Sequence, residues 1–116
     1  EFEERDFSET PEAWRAAYFA SAPPFTVVPE LRRLVKFREH DLLREAPPQI
    51  GNDLIVCRNA IIYFDRASQE HLFETFYSAL APGGFLVLGK VETLFGRARQ
   101  LFRSVDARER IFVRPT

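Results

Sequence analysis

Two short apolar runs, separated by a segment of helical length, constrain the fold of this chain more than any other feature. The runs are Asp53–Cys57 and Phe85–Leu88, and both are bounded by turn residues. Each predicts a strand, and the first is expected to be buried on both faces. Between them, Asp65 is a suitable N-cap for a helix running to about Leu80. That helix has an apolar face with the 3.6-residue period, formed by Leu72, Phe73, Phe76, Ala79 and Leu80.

The remaining chain predicts elements that can join this strand–helix–strand unit. Leu101–Val105 and Arg110–Val113 flank a polar turn, which is typical of a terminal β-hairpin. Upstream, the pattern predicts a helix over Pro11–Ala20 and a strand over Val35–Phe37, and residues 91–100 indicate a weak helix or a loop. We therefore expect an α/β fold with a mostly parallel sheet and an antiparallel C-terminal hairpin.

Composition excludes several classes of function. The 116 residues include 16 Lys and Arg against 17 Asp and Glu, so the basic surplus of a nucleic-acid binder is absent. No apolar run approaches the roughly 20 residues of a membrane span. Cys57 is the sole cysteine, which excludes an internal disulfide and fits a reducing, cytoplasmic location.

Polar residues directly after strand ends are the candidates for ligand binding, because open α/β sheets bind ligands beyond the carboxyl ends of their strands. Asp41 follows the predicted Val35–Phe37 strand and could accept a hydrogen bond from an adenine or a ribose, although such an acid more often caps the following turn. Arg58 follows Cys57 and could bind a ligand carboxylate. Alternatively, Arg58 reaches solvent or forms a salt bridge with Asp53 or Asp65, and the residues alone do not decide between these roles.

Other motifs give no catalytic or metal site. Cys57 has no neighbouring His or Lys that would activate it, so a small buried apolar role is the commoner interpretation. Gly83-Gly84 precedes a strand and not a helix, which excludes a phosphate loop. His40 and His71 are far apart in the sequence and do not have the spacing of metal ligands.

The segment Asp53–Asp65 resembles the signature of CheR-type protein-glutamate methyltransferases, which reads D-[LA]-I-x-C-R-N-V-x-I-Y-F in that family. Phe76–Gly89 is similar to a second family pattern, F-x-x-x-L-x-P-G-G-x-L-x-L-G. Upstream segments match in order and spacing as well, at Tyr18-Phe19, Val28–Phe37 and Asp41–Leu43. The resemblance extends over about residues 14–114, and the Cys57-Arg58-Asn59 to Phe64 run is its most specific part.

This resemblance implies a Rossmann-like fold that binds S-adenosylmethionine and transfers its methyl group to Glu side chains on the cytoplasmic helices of chemoreceptors. By matching position, Asp41 and Leu42 would hold the adenine end of the cofactor. Arg58 and Asn59 would line its methionine end. Tyr63 would lie near the transferred methyl, where a π-face attracts the sulfonium cation, so Tyr63 and Arg58 are the expected catalytic residues.

The resemblance also implies what lies outside these residues. The family's N-terminal helical domain and glycine-containing cofactor loop would precede Glu1, so residues 1–116 are expected to be the C-terminal half of the domain. The edge of the Asp53–Cys57 strand would then be exposed, which predicts self-association, a swapped strand pairing or a missing partner segment.

Two local departures from the family pattern bear on partners. The family's G-H-S-E is here Gly89-Lys90-Val91-Glu92, and Ala20–Val27 is too short for the glycine-containing subdomain that docks receptor peptides in some members. A truncated, non-catalytic relative that acts as a binding or interaction domain is the alternative to an enzyme.

Overall fold

A computed structural model describes residues 1–116, which form two compact units, Glu1–Glu39 and His40–Thr116. The first unit contains a 3₁₀ turn, Glu4–Phe7, and two short helices, α1 (Glu12–Tyr18) and α2 (Pro29–Arg32). The helix predicted over Pro11–Ala20 is therefore confirmed, and it is slightly shorter than expected.

Aromatic rings stabilise the first unit. Phe7 lies edge-to-face against Phe19 and Phe25, with ring centroids 4.8 and 5.5 Å apart. The Arg15 guanidinium stacks 4.4 Å from the centroid of Phe7 and donates two hydrogen bonds of 2.6 Å to the Glu4 carboxylate. One planar cation therefore joins α1 to the 3₁₀ turn.

The strand predicted over Val35–Phe37 is wrong. These residues form no regular structure, and Phe37 is 97% exposed. A strand is stable only when a neighbour pairs with it, and this segment has no strand partner in the molecule. Val35 is half exposed as well, so the segment contributes little to a core.

The second unit is a four-stranded sheet with helices and turns between its strands. Its elements are β1 (Asn52–Cys57), a 3₁₀ turn (Ile61–Tyr63), α3 (Arg66–Ala79), β2 (Leu80–Leu88), α4 (Arg97–Leu101), β3 (Arg103–Asp106) and β4 (Ile111–Val113). The strand order is β1-β2-β4-β3, with β1 and β2 parallel. This confirms the α/β class and the terminal antiparallel hairpin. The sheet is mixed and not mostly parallel, because the hairpin strands form two of the three pairings.

Strand β2 begins five residues before the predicted start at Phe85. Its pairing with β1 moves from Asn52–Leu80 directly to Leu54–Phe85, so the intervening residues bulge out of the ladder. Gly83 occupies the bulge with φ of 84°, a conformation that favours glycine. α3 ends at Ala79, before the Pro-Gly-Gly segment that was expected to end it, and that segment lies within β2.

The hydrophobic core lies between one face of the sheet and α3 and α4. Its members are mostly fully buried, and they are Ile61, Leu72, Phe73, Phe76, Leu80, Leu86, Leu88, Leu94, Ala98, Phe102 and Phe112. In β1, Ile55 and Cys57 pack against this core, whereas Leu54 and Val56 are more than half exposed. The prediction that β1 is buried on both faces is therefore wrong, because helices cover this part of the sheet on one face only.

The N-terminus of α3 has the cap that the sequence predicts, and this cap is open to a direct test. The Asp65 carboxylate accepts a 2.8 Å hydrogen bond from the Ser68 backbone N–H, and this bond lowers the pKa of Asp65. Because the pKa is lower in the folded state, the stabilisation is present above the ordinary carboxyl pKa. It is lost as the pH falls through the lowered value.

We expect Asp65→Ala to lower the midpoint of urea unfolding at neutral pH, with Asp65→Asn retaining part of the cap. The difference between wild type and Asp65→Ala should shrink in acid, and a difference that grows in acid would contradict the cap.

None of the helices combines the length and the hydrophobicity of a membrane span, and no group of three His, Cys, Asp or Glu residues could hold a metal ion.

Candidate cofactor site

The carboxyl ends of the two parallel strands lie side by side. Cys57 pairs with Leu88, so the loops that begin at Arg58 and Gly89 leave the sheet at the same edge. The hairpin turn before β4 is at this edge as well, because Ile111 pairs with Val87. This is the edge at which open α/β sheets bind ligands.

A buried carboxylate connects the two loops. Glu92 is 3% exposed, and its carboxylate accepts hydrogen bonds from the backbone N–H groups of Asn59 (2.8 Å), Ile61 (3.0 Å) and Gly89 (2.7 Å). A Cβ at Gly89 would lie 2.7 Å from a Glu92 oxygen and 2.9 Å from the Asn59 nitrogen, so glycine is required for this approach. In the sequence, Glu92 is only the last residue of a motif that departs from the family pattern, and no role is predicted for it.

Arg58 and Asn59 lie exposed at the start of the loop after β1. None of the six ion pairs in the molecule involves Arg58, so the predicted alternative of a salt bridge to Asp53 or Asp65 is not formed. Asn59 has a φ of 60°, which Asn tolerates better than most residues. The guanidinium of Arg58 is therefore available to an external carboxylate.

Tyr63 belongs to the same segment. It ends the 3₁₀ turn that Ile61 anchors in the core, and its side chain is 81% exposed. Arg58, Asn59 and Tyr63 are all exposed within one segment of six residues after β1. Their assignment to cofactor binding and catalysis remains a prediction.

Asp41 and Leu42 lie in a separate turn of the same unit. The Asp41 carboxylate accepts hydrogen bonds from the backbone N–H groups of Leu43 (3.0 Å) and Arg44 (3.2 Å), which is the capping role considered from the sequence. Its second oxygen is 3.9 Å from the exposed Arg44 guanidinium, a weak pairing. Leu42 packs against the hydrophobic core, as do Cys57 and Phe64.

Cys57 lies at the carboxyl end of β1 and is partly buried against the core. Desolvation by burial raises the pKa of its thiol, and the nearby negative charge of Glu92 raises it further. The neutral thiol therefore predominates at neutral pH. This agrees with the interpretation of Cys57 as a small apolar residue, which packs against the core.

The sequence model of one protein family, described as "CheR methyltransferase, SAM binding domain", matches residues 1–111. The chain belongs to the CheR methyltransferase family. It is 34% identical over 99 residues to a "Chemotaxis protein methyltransferase" of Listeria innocua, an alignment that covers 84% of this chain and 37% of the relative. It is 46% identical over 81 residues to the "Chemotaxis protein methyltransferase 2" of Pseudomonas aeruginosa, covering 68% of this chain and 28% of the relative.

The CheR relatives are considerably longer than the matched region. The chain spans about a third of the length of these two curated relatives, 37% and 28% respectively. The matched family is defined by a domain that binds S-adenosylmethionine, and this chain covers a part of such a protein.

Proposed function

We propose that this chain provides the methionine-binding side of an S-adenosylmethionine site in a chemotaxis-type protein-glutamate O-methyltransferase. The observation that carries the proposal is Arg58, an exposed and unpaired guanidinium at the carboxyl end of a parallel strand. The family signature surrounds it on both sides. A guanidinium binds a carboxylate through two parallel hydrogen bonds, and the methionine end of the cofactor carries such a carboxylate.

The residues present fit the chemistry of this cofactor. Bound S-adenosylmethionine would supply a methyl group activated by its sulfonium centre. Arg58 and Asn59 would hold the methionine end, Tyr63 would offer its π-face to the positive charge, and Asp41 and Leu42 would contact the adenine end. The Asp41 oxygen that does not cap its turn is the atom available for that contact.

The proposed substrate is a Glu side chain on a chemoreceptor helix, and the proposed location is the cytoplasm. A Glu carboxylate is ionised at neutral pH, so it would need no general base to take the methyl group, and the cofactor would leave as S-adenosylhomocysteine when its bond from sulfur to methyl breaks. The protein then has to orient the two reactants and exclude water. The absence of a nucleophile–base pair among the predicted site residues agrees with such a reaction.

Calorimetric titration of the chain with S-adenosylhomocysteine, the demethylated cofactor, tests the proposal. Saturable binding in the micromolar range that adenosine alone does not reproduce would support a methionine-binding site. Undetectable binding by a chain that is folded by circular dichroism would contradict it for these residues. That result would favour the alternative of a non-catalytic binding or interaction domain.

The exposed edge of β1 leads us to propose self-association as well. β1 is the outer strand of the sheet, and its Leu54 and Val56 side chains are more than half exposed. An apolar strand with unpaired backbone groups is a template for pairing with another chain. We expect sedimentation velocity to show a concentration-dependent dimer.

Val56→Lys should shift this equilibrium to the monomer, because a charge at an edge disfavours strand pairing. Val105→Lys is the matched control, since Val105 is about as exposed but lies on the opposite edge strand, β3. An equal effect of both variants would show that β1 is not the interface, and a monomer at all concentrations would exclude the association altogether.

A further inference from the structure

Glu92 is the one buried charged residue of this molecule, and all of its hydrogen bonds go to backbone. A carboxylate in an apolar environment is unstable unless hydrogen-bond donors compensate it. Here two donors come from the loop after β1 and one from the loop after β2. The carboxylate therefore connects segments about thirty residues apart in the sequence, at the carboxyl ends of β1 and β2, where Arg58 is exposed.

The bonded groups lie on both sides of the cofactor-binding candidates. Asn59 follows Arg58 directly, and its backbone has a positive φ that depends on local contacts to persist. Ile61 is fully buried and begins the turn that ends at Tyr63. Fixing the N–H groups of Asn59 and Ile61 thus fixes the direction in which the Arg58 and Tyr63 side chains leave the loop.

We propose that Glu92 is a positioning residue, whose carboxylate holds residues 58–61 in the conformation that presents Arg58 and Asn59 at the sheet edge. The consequence of this positioning for cofactor binding rests on the proposed function. Lys90, at the place where the family pattern has His, does not share this role. Its ammonium instead lies 3.8 Å from the exposed carboxylate of Glu109 in the hairpin turn.

Glu92→Gln tests the proposal in the 116-residue chain, with backbone amide spectra and hydrogen exchange as the readout. One Glu92 oxygen accepts from Asn59 and Gly89 and the other from Ile61, so the NH₂ group of the variant removes the acceptor of at least one of these N–H groups. We expect all three amides to change shift, and each amide that loses its acceptor to exchange at least about tenfold faster. Amides in the β2–β4 pairing, such as Leu86 and Phe112, should keep their shifts and protection. Glu109→Gln removes the same charge from the same edge and should leave all five amides unchanged.

Gly89→Ala is a second variant that keeps the carboxylate charge. Its Cβ would press on Glu92 and on the Asn59 N–H, so the same three amides should change even if Glu92→Gln fails to fold. Unchanged amides at Asn59 and Ile61 in the variants that fold would overturn the proposal. Loss of protection to the same extent throughout the sheet would also overturn it, because Glu92 would then be a general stability determinant.

Cofactor binding provides the functional readout. If the wild-type chain binds S-adenosylhomocysteine, Glu92→Gln should weaken the affinity roughly tenfold, because ligand binding would then have to order the loop. Affinity that is unchanged despite altered loop amides would overturn the link to the cofactor site. If the wild type does not bind, the proposed function fails for this chain, whereas the amide measurements still decide whether Glu92 positions the loop.

Discussion

Replacement of Arg58 by alanine is expected to weaken the binding of S-adenosylhomocysteine by roughly 10- to 150-fold, the range for loss of hydrogen bonds to a charged group. Arg58 forms no ion pair within the molecule, so its guanidinium can bind a ligand without first breaking an internal salt bridge. Titration calorimetry at a fixed, low salt concentration would measure the effect, because electrostatic attraction is screened by salt.

Two further variants separate the role of this side chain from its charge. Arg103→Ala removes the same charge at the start of β3, at the opposite end of the sheet, and should leave the affinity unchanged. Arg58→Lys keeps the charge but loses the planar fork, so an intermediate affinity is expected. If Arg58→Ala binds as tightly as Arg103→Ala, the role that the family signature assigns to Arg58 does not apply to this chain.

The sequence predicts the β1–α3–β2 unit well because its signals are local. Asp65 caps α3 from within its own turn, and the helix breakers Pro82, Gly83 and Gly84 follow within five residues of its last residue, Ala79. Burial is a different matter, because it depends on which elements pack together. The Asp53–Cys57 run looks buried on both faces by composition, yet Leu54 and Val56 are more than half exposed because no layer covers that face. Val35–Phe37 forms no strand because no other strand pairs with it.

In the candidate site, too, residues with local sequence signals could be predicted, and those that depend on tertiary contacts could not. Arg58 was found because it follows a strand end and lies within a specific family signature. For Asp41 the sequence left two roles open, and the geometry forms the capping one. Glu92 was missed because its donors are backbone N–H groups, which every residue has, and no pattern of side chains reveals them. The sequence signals that could have indicated Glu92 were its position soon after a strand end and its place as the last residue of the Gly89–Glu92 motif.

Replacement of Phe73 by alanine is expected to be the most destabilising change, at about 3–5 kcal/mol in the free energy of unfolding. Phe73 is fully buried at the centre of α3, within the core, and its ring lies edge-to-face with Phe95 at 5.4 Å. The variant loses both the transfer free energy of the ring and the contacts around the resulting cavity. Urea unfolding followed by circular dichroism would measure the loss.

Phe37→Ala is the matched control, since it removes the same group from a position that is 97% exposed and should change stability by less than about 0.5 kcal/mol. The expected loss at Phe73 is a large part of the roughly 5–15 kcal/mol that stabilises a typical domain. The sheet edge that carries Arg58 is held in place by this core, because Ile61 and Phe73 belong to the same cluster. A Phe73→Ala variant as stable as Phe37→Ala would mean that α3 does not pack on the sheet, and the loop after β1 would lose its support.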